Sequence, residues 1–275
     1  MVATTGGSEL DHEKRLEDLT GRVVKESTHP IAHGSFGDVW KCRFRQWDRD
    51  CEDLEASMLH VAVKSIRIDI TNDDPRVRLT RRLLADYHAR KQLHHENLLP
   101  LLGFSYEFGL LPAMVFPWMH NGSLTTYLEH HFTELTIEKK LRILRQVAAA
   151  ISYLHSKGIV HGNLTANDIL IDSDHNAYVA YDGILKDEES STPPQPASDI
   201  YSFGCIALQV MTGQSPNADV RNDHQDTVPK KPTRPSSPHD ADSFWDFIEK
   251  CWSDVGRRPS AVDVTSFLGS YHCAS

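Results

Sequence analysis

The pattern of apolar residues changes near residue 120, and this change limits the possible folds more than any other feature of the chain. Before it, short segments rich in β-branched and apolar residues predict strands. They cover 22–24, 39–42, 59–66, 98–102 and 113–116. After it, apolar residues recur every three or four positions, as on the buried face of a helix. We therefore predict an α+β fold with a strand-rich first part and a helical second part, divided near residues 117–122.

The clearest predicted helix covers residues 136–157. Thr136 is suited to the N-cap and Gly158 to the position after the last turn. Its apolar face would consist of Ile137, Leu141, Leu144, Ala148, Ile151 and Leu154. A capping box of Ser260 and Asp263 opens a last short helix. Further helices are predicted at 76–93, 199–211 and 244–252, and loops at the acidic segment 46–58 and the proline-rich segment 213–240.

Charge and hydropathy exclude several classes of function. The chain has 29 Lys and Arg against 38 Asp and Glu, a formal net charge of −9, and no strong basic cluster is evident in the sequence. Nucleic acid and anionic membranes are therefore not expected partners. No apolar stretch approaches the ~20 residues of a membrane span. Residues 1–18 lack the features of a signal peptide, so we expect a cytoplasmic protein with this polar leader disordered.

Cysteine and histidine give no metal or disulfide signature. The five cysteines fit no C-x-x-C pattern, and reduced thiols are the expectation, with a Cys42–Cys51 pair as the minor alternative. The 16 histidines include two adjacent pairs but no metal-binding spacing. They are interpreted as surface residues.

Five segments, in this order, carry a resemblance to a known family. They are the glycine turn Ile31–Val39, the strand Val61–Lys64, the loop His161–Leu170, the segment Asp199–Gly204, and Cys251–Trp252 followed by Arg258–Ser260. Together they resemble the protein kinase superfamily, and the tyrosine-kinase-like branch is the one most resembled.

The resemblance covers about residues 19–268 and implies a two-lobed fold. A small β-rich N-lobe would span 19–117 and a larger α-helical C-lobe 121–268. The leader 1–18 would precede this domain, and a tail, 269–275, would follow it.

The resemblance also implies a nucleotide-binding side in the N-lobe. Ala32 replaces the first glycine of the phosphate-covering loop, whereas Gly34 and Gly37 remain, although a plain hairpin turn is the alternative. Lys64 matches the lysine that holds the α- and β-phosphates. Asp86 stands where the family has its glutamate partner, one methylene short, so their pair is expected only with a displaced helix.

Adenine would contact the hinge and an apolar column. The hinge would be Pro117-Trp118-Met119 behind a Phe116 gatekeeper, with the Met119 N–H as the donor to adenine. The column maps to Val39, Ala62, Leu124, Leu170, Ile206 and Val210, which are all apolar. The second column of the family maps to Arg90, Leu101, Asp182 and His161. Because two of its members are charged, we expect either an Arg90–Asp182 ion pair or a column that is open to water. The alternative is that our alignment of this helix with the family is displaced by one residue.

The catalytic side departs from the family motifs. Asn163 replaces the aspartate that accepts the substrate proton, and Thr165 replaces the lysine at the γ-phosphate. Tyr181 replaces the Mg²⁺-binding aspartate, and a phenol is a poor ligand for that hard cation. Two candidate metal ligands are left: Asp168, in place of the family asparagine, and Asp182 through a register slip.

The segment that should hold a peptide substrate is short. No A-P-E triplet occurs between Gly183 and Asp199, so Arg258 lacks the glutamate that pairs with it in the family. The sequence therefore predicts a pseudokinase, a nucleotide-binding or scaffolding module with little or no phosphotransferase activity. ATP is its candidate ligand, whereas Tyr181 argues against Mg²⁺. The alternatives are a weakly active Ser/Thr kinase using Asp168 and Asp182 for metal, and a decayed kinase gene. No protein partner or oligomeric state is indicated.

Overall fold

The computed structural model describes residues 15–33, 37–45, 58–67, 73–181, 194–214, 232, 234 and 242–271. Backbone packing divides the chain into two compact units. Among the described residues, the first unit holds those up to His94 together with Leu99–Met119. The second holds His95–Leu98, His120–Tyr181 and the residues from 194 onwards. The predicted α+β fold is confirmed, with a strand-rich first unit and a helical second unit.

Among the residues that the structure describes, the first unit consists of a seven-stranded sheet and one helix. Its elements are β1 (Glu17–Asp18), β2 (Val23–Lys25), β3 (Ala32–His33), β4 (Gly37–Arg45), β5 (Met58–Ile66), α1 (Asp73–Lys91), β6 (Gly103–Ser105) and β7 (Ala113–Pro117). The strand order is β1-β6-β7-β5-β4-β2, and β3 also pairs with β4. The pairs are antiparallel except β1–β6. Alternate residues such as Val61 and Val63 point into its buried core.

The second unit is built around one long helix. Its elements are α2 (Leu124–His131), α3 (Ile137–Ser156), β8 (Ile169–Ile171), β9 (Ala177–Val179), α4 (Pro196–Thr212), α5 (Asp242–Cys251) and α6 (Ala261–Ser270). Helix α3 packs against α4, α6 and β9. Of its predicted apolar face, only Ile137 is exposed, at 42%. That residue lies in the first turn, at the edge of the packed region.

The caps predicted at Thr136, Gly158 and Ser260 are confirmed. Thr136 Oγ1 accepts a hydrogen bond from Lys139 N–H at the start of α3. Gly158, just after α3, has φ of 71° and Gly213, after α4, has φ of 76°, which are left-handed values that favour glycine. The Ser260–Asp263 capping box is formed at the start of α6.

Several sequence predictions need correction. The strand predicted at 98–102 is wrong: β6 begins at Gly103, and only Leu98 makes an isolated bridge, to Val179 in the second unit. Helix α2 and strands β1, β3, β8 and β9 were not predicted. The predicted leader ends in β1, because Glu17 and Asp18 pair with Gly103 and Phe104. Cys42 is a free thiol, whereas Cys51 lies outside the described residues.

Candidate functional site

The predicted glycine loop joins two antiparallel strands of the first unit. Ala32 in β3 pairs with Val39 in β4. Gly34 lies outside the described residues. Gly37 begins β4, and a Cβ added there would lie 1.9 Å from the backbone oxygen of Ser65 in β5. Glycine is thus required at position 37 by the packing of β4 against β5, independently of any nucleotide.

A charged cluster holds the residues on either side of this turn. Asp38 Oδ1 lies 2.7 Å from His33 Nδ1 and 2.6 Å from Arg67 Nη2. Hydrogen bonds from the His33 ring and then from Arg67 keep the pKa of the Asp38 carboxyl below its usual range. Because the cluster faces solvent, it orients the strand ends and adds little to stability.

Strands β4 and β5 place three of the predicted nucleotide-binding residues on one face of the sheet. Lys64 stands directly opposite Val39 in β4. Ala62 precedes Lys64 by two residues and so shares its face. On the other side of β5, Ala62 pairs with Phe116 and Lys64 with Met114, both in β7.

Asp86 lies in α1, in the same unit as Lys64. Burial raises the pKa of the Asp86 carboxyl, and nearby Arg82 lowers it by less. Among the residues that the structure describes, no ion pair joins Asp86 to Lys64. The role of Asp86 as the partner of Lys64 stays a prediction.

The hinge residues follow from β7. Pro117 ends the strand opposite Val61, and the Trp118 N–H donates to the His60 oxygen at 3.1 Å. Phe116 and Met119 are buried. The Met119 N–H donates no hydrogen bond to another described residue. The backbone donor predicted for adenine is thus present, and Pro117 costs no hydrogen bond at its own position.

Arg90, a predicted member of the second column, is buried near the end of α1. Only 5% of it is exposed. Its Nη2 donates to the Leu99 oxygen at 2.9 Å, and its guanidinium carbon lies 5.3 Å from the centre of the Phe116 ring. The predicted partner, Asp182, lies outside the described residues.

In the second unit, the buried carboxylate of Asp199 holds the loop that begins at His161. Asp199 Oδ2 accepts hydrogen bonds from the backbone N–H of His161 and from His155 Nε2, and Oδ1 accepts from the Gly162 N–H, all at 2.8 Å. Burial alone would raise the pKa of Asp199, but the hydrogen bonds from His155, Gly162 and His161 outweigh it and leave the pKa below its usual range.

Gly162 turns the chain at this point. Its φ is 84°, and a Cβ there would lie 3.0 Å from Pro194 Cβ. Glycine therefore suits both the left-handed backbone and the close approach. The next residue, Asn163, is exposed, at the position of the family's catalytic aspartate.

Thr165 and Asp168 bind each other at the start of a short 3₁₀ turn. Asp168 Oδ2 accepts hydrogen bonds from the Thr165 N–H and from Thr165 Oγ1, both at 2.8 Å. Thr165 Oγ1 accepts in turn from the Asn167 N–H. One oxygen of the candidate metal ligand is thus already used as a cap, and Oδ1 is left as its free lone-pair donor among the described contacts.

Tyr181 follows β9 and packs on the same loop. Its ring lies 5.8 Å from the His161 ring in an edge-on arrangement, and His161 Nε2 hydrogen-bonds to the Ala180 oxygen at 2.9 Å. Leu170 lies in β8, pairs with Tyr178, and forms a bridge with Ser123 just before α2. Tyr181 therefore contributes an aromatic contact where the family has a metal ligand.

The candidate Mg²⁺ ligands of the sequence analysis are Asp168 and Asp182. No group of three or more His, Cys, Asp or Glu side chains converges anywhere in the described ranges. Asp168 offers one oxygen, and the Tyr181 phenol is a poor ligand for Mg²⁺. Asp182 lies outside the described residues.

The Arg258 side chain is held by two carbonyl oxygens and an aromatic ring. Its Nη1 donates to the Ala197 oxygen and its Nε to the Ser253 oxygen, both at 2.8 Å. Its guanidinium carbon lies 5.1 Å from the centre of the Tyr201 ring. Two carbonyls and an aromatic ring thus anchor the start of α4 to the segment after α5.

The hydrogen bonds of Asp199 and His155 that hold this loop were not predicted from the sequence. Asp199 was noted only as part of a family segment, and His155 only as part of a helix. The aspartate at the start of an apolar helix was a usable signal, because a carboxylate in such a place is buried only when it is hydrogen-bonded. The contact to His155, 44 residues away, had no local signal.

Comparison with known proteins agrees with this geometry. Residues 26–195, more than half of the chain, match the family model described as protein tyrosine and serine/threonine kinase. Among curated proteins of Arabidopsis thaliana, the L-type lectin-domain containing receptor kinase I.7 is 25% identical over 85% of this chain and 34% of its own length. The serine/threonine-protein kinase-like protein CCR2 is 26% identical over 70% of this chain and 24% of its own length.

The chain matches only 22% to 36% of the length of the first curated relatives. No helix among the described residues combines the length and the apolar character that crossing a bilayer requires. The family match rests on the segment that contains the glycine turn, Lys64 and the loop from His161 to Leu170. The chain therefore belongs to the family of protein tyrosine and serine/threonine kinases.

Proposed function

We propose that this chain is a pseudokinase of the tyrosine-kinase-like branch, a module that binds a nucleotide or a protein partner and transfers little or no phosphate. The observation that carries the proposal is Asn163 at the position of the catalytic aspartate. An amide cannot take up the proton of a substrate hydroxyl. General-base help is worth ~10²–10⁴ in rate, which corresponds to about 3–5 kcal/mol of barrier.

The neighbouring residues support the same conclusion. Thr165 carries no charge for the γ-phosphate, and it occupies one oxygen of Asp168 through two hydrogen bonds. Tyr181 packs on the His161 ring. Kinases in general use ATP with Mg²⁺, and weak metal binding would remove much of the electrostatic stabilisation of phosphoryl transfer.

The nucleotide-binding side supports retained binding. Ala62, Lys64 and Val39 share a sheet face, and the Met119 N–H is available as a donor. Adenine binding depends on these apolar and backbone groups and not on the catalytic loop. We therefore expect ATP to bind with little dependence on Mg²⁺. The free thiols of Cys42, Cys205 and Cys251 support a reducing, cytoplasmic location for the module.

The alternative is a weakly active Ser/Thr kinase that uses Asp168 and Asp182 for metal. It is favoured by the relatives, whose names include a serine/threonine-protein kinase-like protein. The unused Oδ1 of Asp168 also favours it.

One experiment on the full chain separates the two. Thermal stability is measured with ATP in EDTA and in Mg²⁺, and phosphate transfer is followed with γ-labelled ATP. The pseudokinase predicts that ATP raises Tm equally in both buffers, that Lys64→Met abolishes this shift, and that no transfer occurs. The exposed Lys139→Met variant is the matched control and should keep the shift. Transfer above background that disappears in Asp182→Asn would refute the proposal in favour of the enzyme.

A further inference from the structure

A pocket in the second unit combines charged walls with an apolar floor. It lies between α2, the start of α3 and the turn that joins β8 to β9, and its empty volume is about 320 Å³, part of it open to solvent. That is the space of about ten water molecules at ~30 Å³ each, enough for a ligand of the size of an amino acid. We call it the α3 pocket, and its lining consists of Tyr127, Leu135, Lys139, Arg142, Ile143, Asp174 and His175.

The floor and the aromatic wall of the α3 pocket are formed without a ligand. Leu135 and Ile143 are buried beneath it. The Tyr127 hydroxyl lies 2.9 Å from His175 Nδ1, and the centres of the two rings lie 5.7 Å apart. A ligand would therefore not have to order these side chains when it binds.

Arg142 is held in the wall that α3 provides. Its Nη2 donates to Asn176 Oδ1, which also accepts a hydrogen bond from Gln146 Nε2 at 3.2 Å. The other N–H groups of the Arg142 guanidinium make no hydrogen bond with a described residue. The guanidinium is thus oriented by the fold and retains donors for a ligand.

The turn 172–176 holds the opposite wall in place. Asp172 Oδ1 accepts hydrogen bonds from the backbone N–H of Asp174 at 2.9 Å and from that of Asn176 at 2.7 Å, so Asp172 is used within the turn. His175 has a φ of 61°, a left-handed value that is uncommon outside glycine. These contacts fix the backbone that carries Asp174 and His175 at the pocket.

The pocket carries opposite charges that do not pair with each other. Lys139 and Asp174 both line it, and both are exposed. Neither side chain forms an ion pair or a hydrogen bond with any residue in the part of the chain that the structure describes. Lys139 lies in the first turn of α3, where the helix dipole disfavours a cation. Both charges are therefore available to a ligand.

This mixture of charges limits the class of ligand. A ligand with only negative charge would be attracted by Lys139 and Arg142 but repelled by Asp174, and a ligand with only positive charge would face the reverse. A zwitterion satisfies both, because its carboxylate accepts charge-assisted hydrogen bonds from the cations while its ammonium donates to Asp174. The buried floor favours an apolar side chain on such a molecule.

We propose that the α3 pocket binds an α-amino acid with an apolar side chain. Its carboxylate would bind Lys139 and Arg142, its ammonium would bind Asp174, and its side chain would lie on Leu135 and Ile143. No residue of the candidate nucleotide site lines the pocket, so this binding does not depend on whether the chain binds ATP or transfers phosphate.

The test is binding of L-leucine to the full wild-type chain, measured by ligand-observed NMR titration beside two analogues that each lack one charge. In 4-methylpentanoate the carboxylate and the side chain are kept but the ammonium is absent, whereas leucinamide keeps the ammonium and lacks the carboxylate. We expect L-leucine to bind, and each analogue to bind at least about tenfold more weakly, because each loses a charge-assisted hydrogen bond. This comparison depends on no variant.

Two variants connect each charge of the ligand to a residue. Asp174→Asn should weaken leucine binding about tenfold and remove the preference for leucine over 4-methylpentanoate, because the ammonium has lost its partner. Lys139→Met should reduce the preference for leucine over leucinamide, with Arg142 keeping part of it. The matched controls Asp254→Asn and Lys250→Met, at exposed positions elsewhere in the second unit, should change leucine affinity less than about twofold. Far-UV circular dichroism and Tm establish that all four variants fold.

The α3 pocket and the candidate nucleotide site are separated by their responses. Lys139→Met should keep the rise in Tm with ATP, and Lys64→Met should keep leucine binding; a loss of both responses in either variant would overturn the proposal. L-Leucine that fails to bind at up to about 10 mM would also overturn it. Equal affinities of the wild type for leucine and 4-methylpentanoate would overturn it in favour of a site for simple carboxylates. Losses as large in the controls as in the variants would place the binding elsewhere.

Discussion

Replacing Asp199 by Asn tests whether a single buried carboxylate holds the loop that carries Asn163. The side chain is 1% exposed and accepts three hydrogen bonds of 2.8 Å, two from backbone N–H groups and one from His155. Asparagine has the same shape but only one acceptor oxygen. If that oxygen faces the Gly162 N–H, the new NH₂ group faces the His161 N–H. In the reverse orientation, the NH₂ group faces the Gly162 N–H instead. One backbone N–H is therefore left buried without an acceptor.

The magnitude follows from these contacts. An unsatisfied buried donor costs about 1–3 kcal/mol, and a hydrogen bond to a charged group contributes about 1.5–3 kcal/mol. Part of this loss in stability is offset, because burying an uncharged amide costs less than burying a carboxylate. We expect Asp199→Asn to lower the free energy of unfolding by about 2–4 kcal/mol.

Urea denaturation followed by tryptophan fluorescence measures this value. Asp263→Asn is the matched control, since Asp263 also accepts hydrogen bonds from backbone and side chain, at Ser260, but is exposed. Asp263→Asn should lower the free energy of unfolding by clearly less than Asp199→Asn does. An Asp199→Asn variant within about 0.5 kcal/mol of wild type, the range of ordinary surface changes, would show that Asp199 does not support the loop.

Four further results are expected. The difference in unfolding free energy between wild type and Asp199→Asn should shrink as the pH falls below about 4. A carboxyl whose pKa is lowered by folding stabilises the fold when it is ionised and loses this contribution as it is protonated. Urea denaturation curves at several pH values measure this difference. Gly37→Ala should destabilise the nucleotide-free protein by about 1–3 kcal/mol, since its Cβ would overlap the Ser65 oxygen, and equal Tm values would contradict this. Gly213→Ala, at a φ of 76°, should lower the free energy of unfolding by about 1 kcal/mol. Gly269→Ala, inside α6 and with open space around it, should leave this free energy unchanged or raise it. Denaturation curves of the two variants measure both effects. Ser260→Ala should cost about 1 kcal/mol through loss of the α6 cap, as measured by urea unfolding.

The parts of the fold that local sequence determines were predicted well. Helix α3 and its ends follow from a periodic apolar face, an N-cap threonine and a glycine, all within one segment. The segment 98–102 shows the limit of this reasoning. Leu98, Leu99 and Leu101 are buried, as the apolar run indicated, but a buried run has the same appearance in a strand and in an irregular connection. Only pairing with other strands distinguishes them, and pairing is not local.

The same distinction applies to the candidate site. The resemblance identified the positions of Lys64 and Asp86, but whether the two side chains pair depends on where α1 packs, which is not a local property of the sequence. One contact was accessible from the sequence and was overlooked. Thr165-Ala166-Asn167-Asp168 is a capping-box pattern, and we interpreted Asp168 only as a metal ligand. A residue that fits a local structural role should be assigned that role before a chemical one.

The loop around His161 shows why a kinase fold can persist while its chemistry changes. Its backbone is fixed by Asp199, which accepts the N–H groups of His161 and Gly162, and by the Thr165–Asp168 cap. None of these bonds involves the side chain of Asn163, which is exposed. A substitution at position 163 can therefore remove a general base without removing a contact that holds the loop. Under the proposed function, restoring aspartate there would return a general base at little cost in stability, but phosphate transfer would stay weak, because Thr165 and Tyr181 would still stand in place of the family's charged residues.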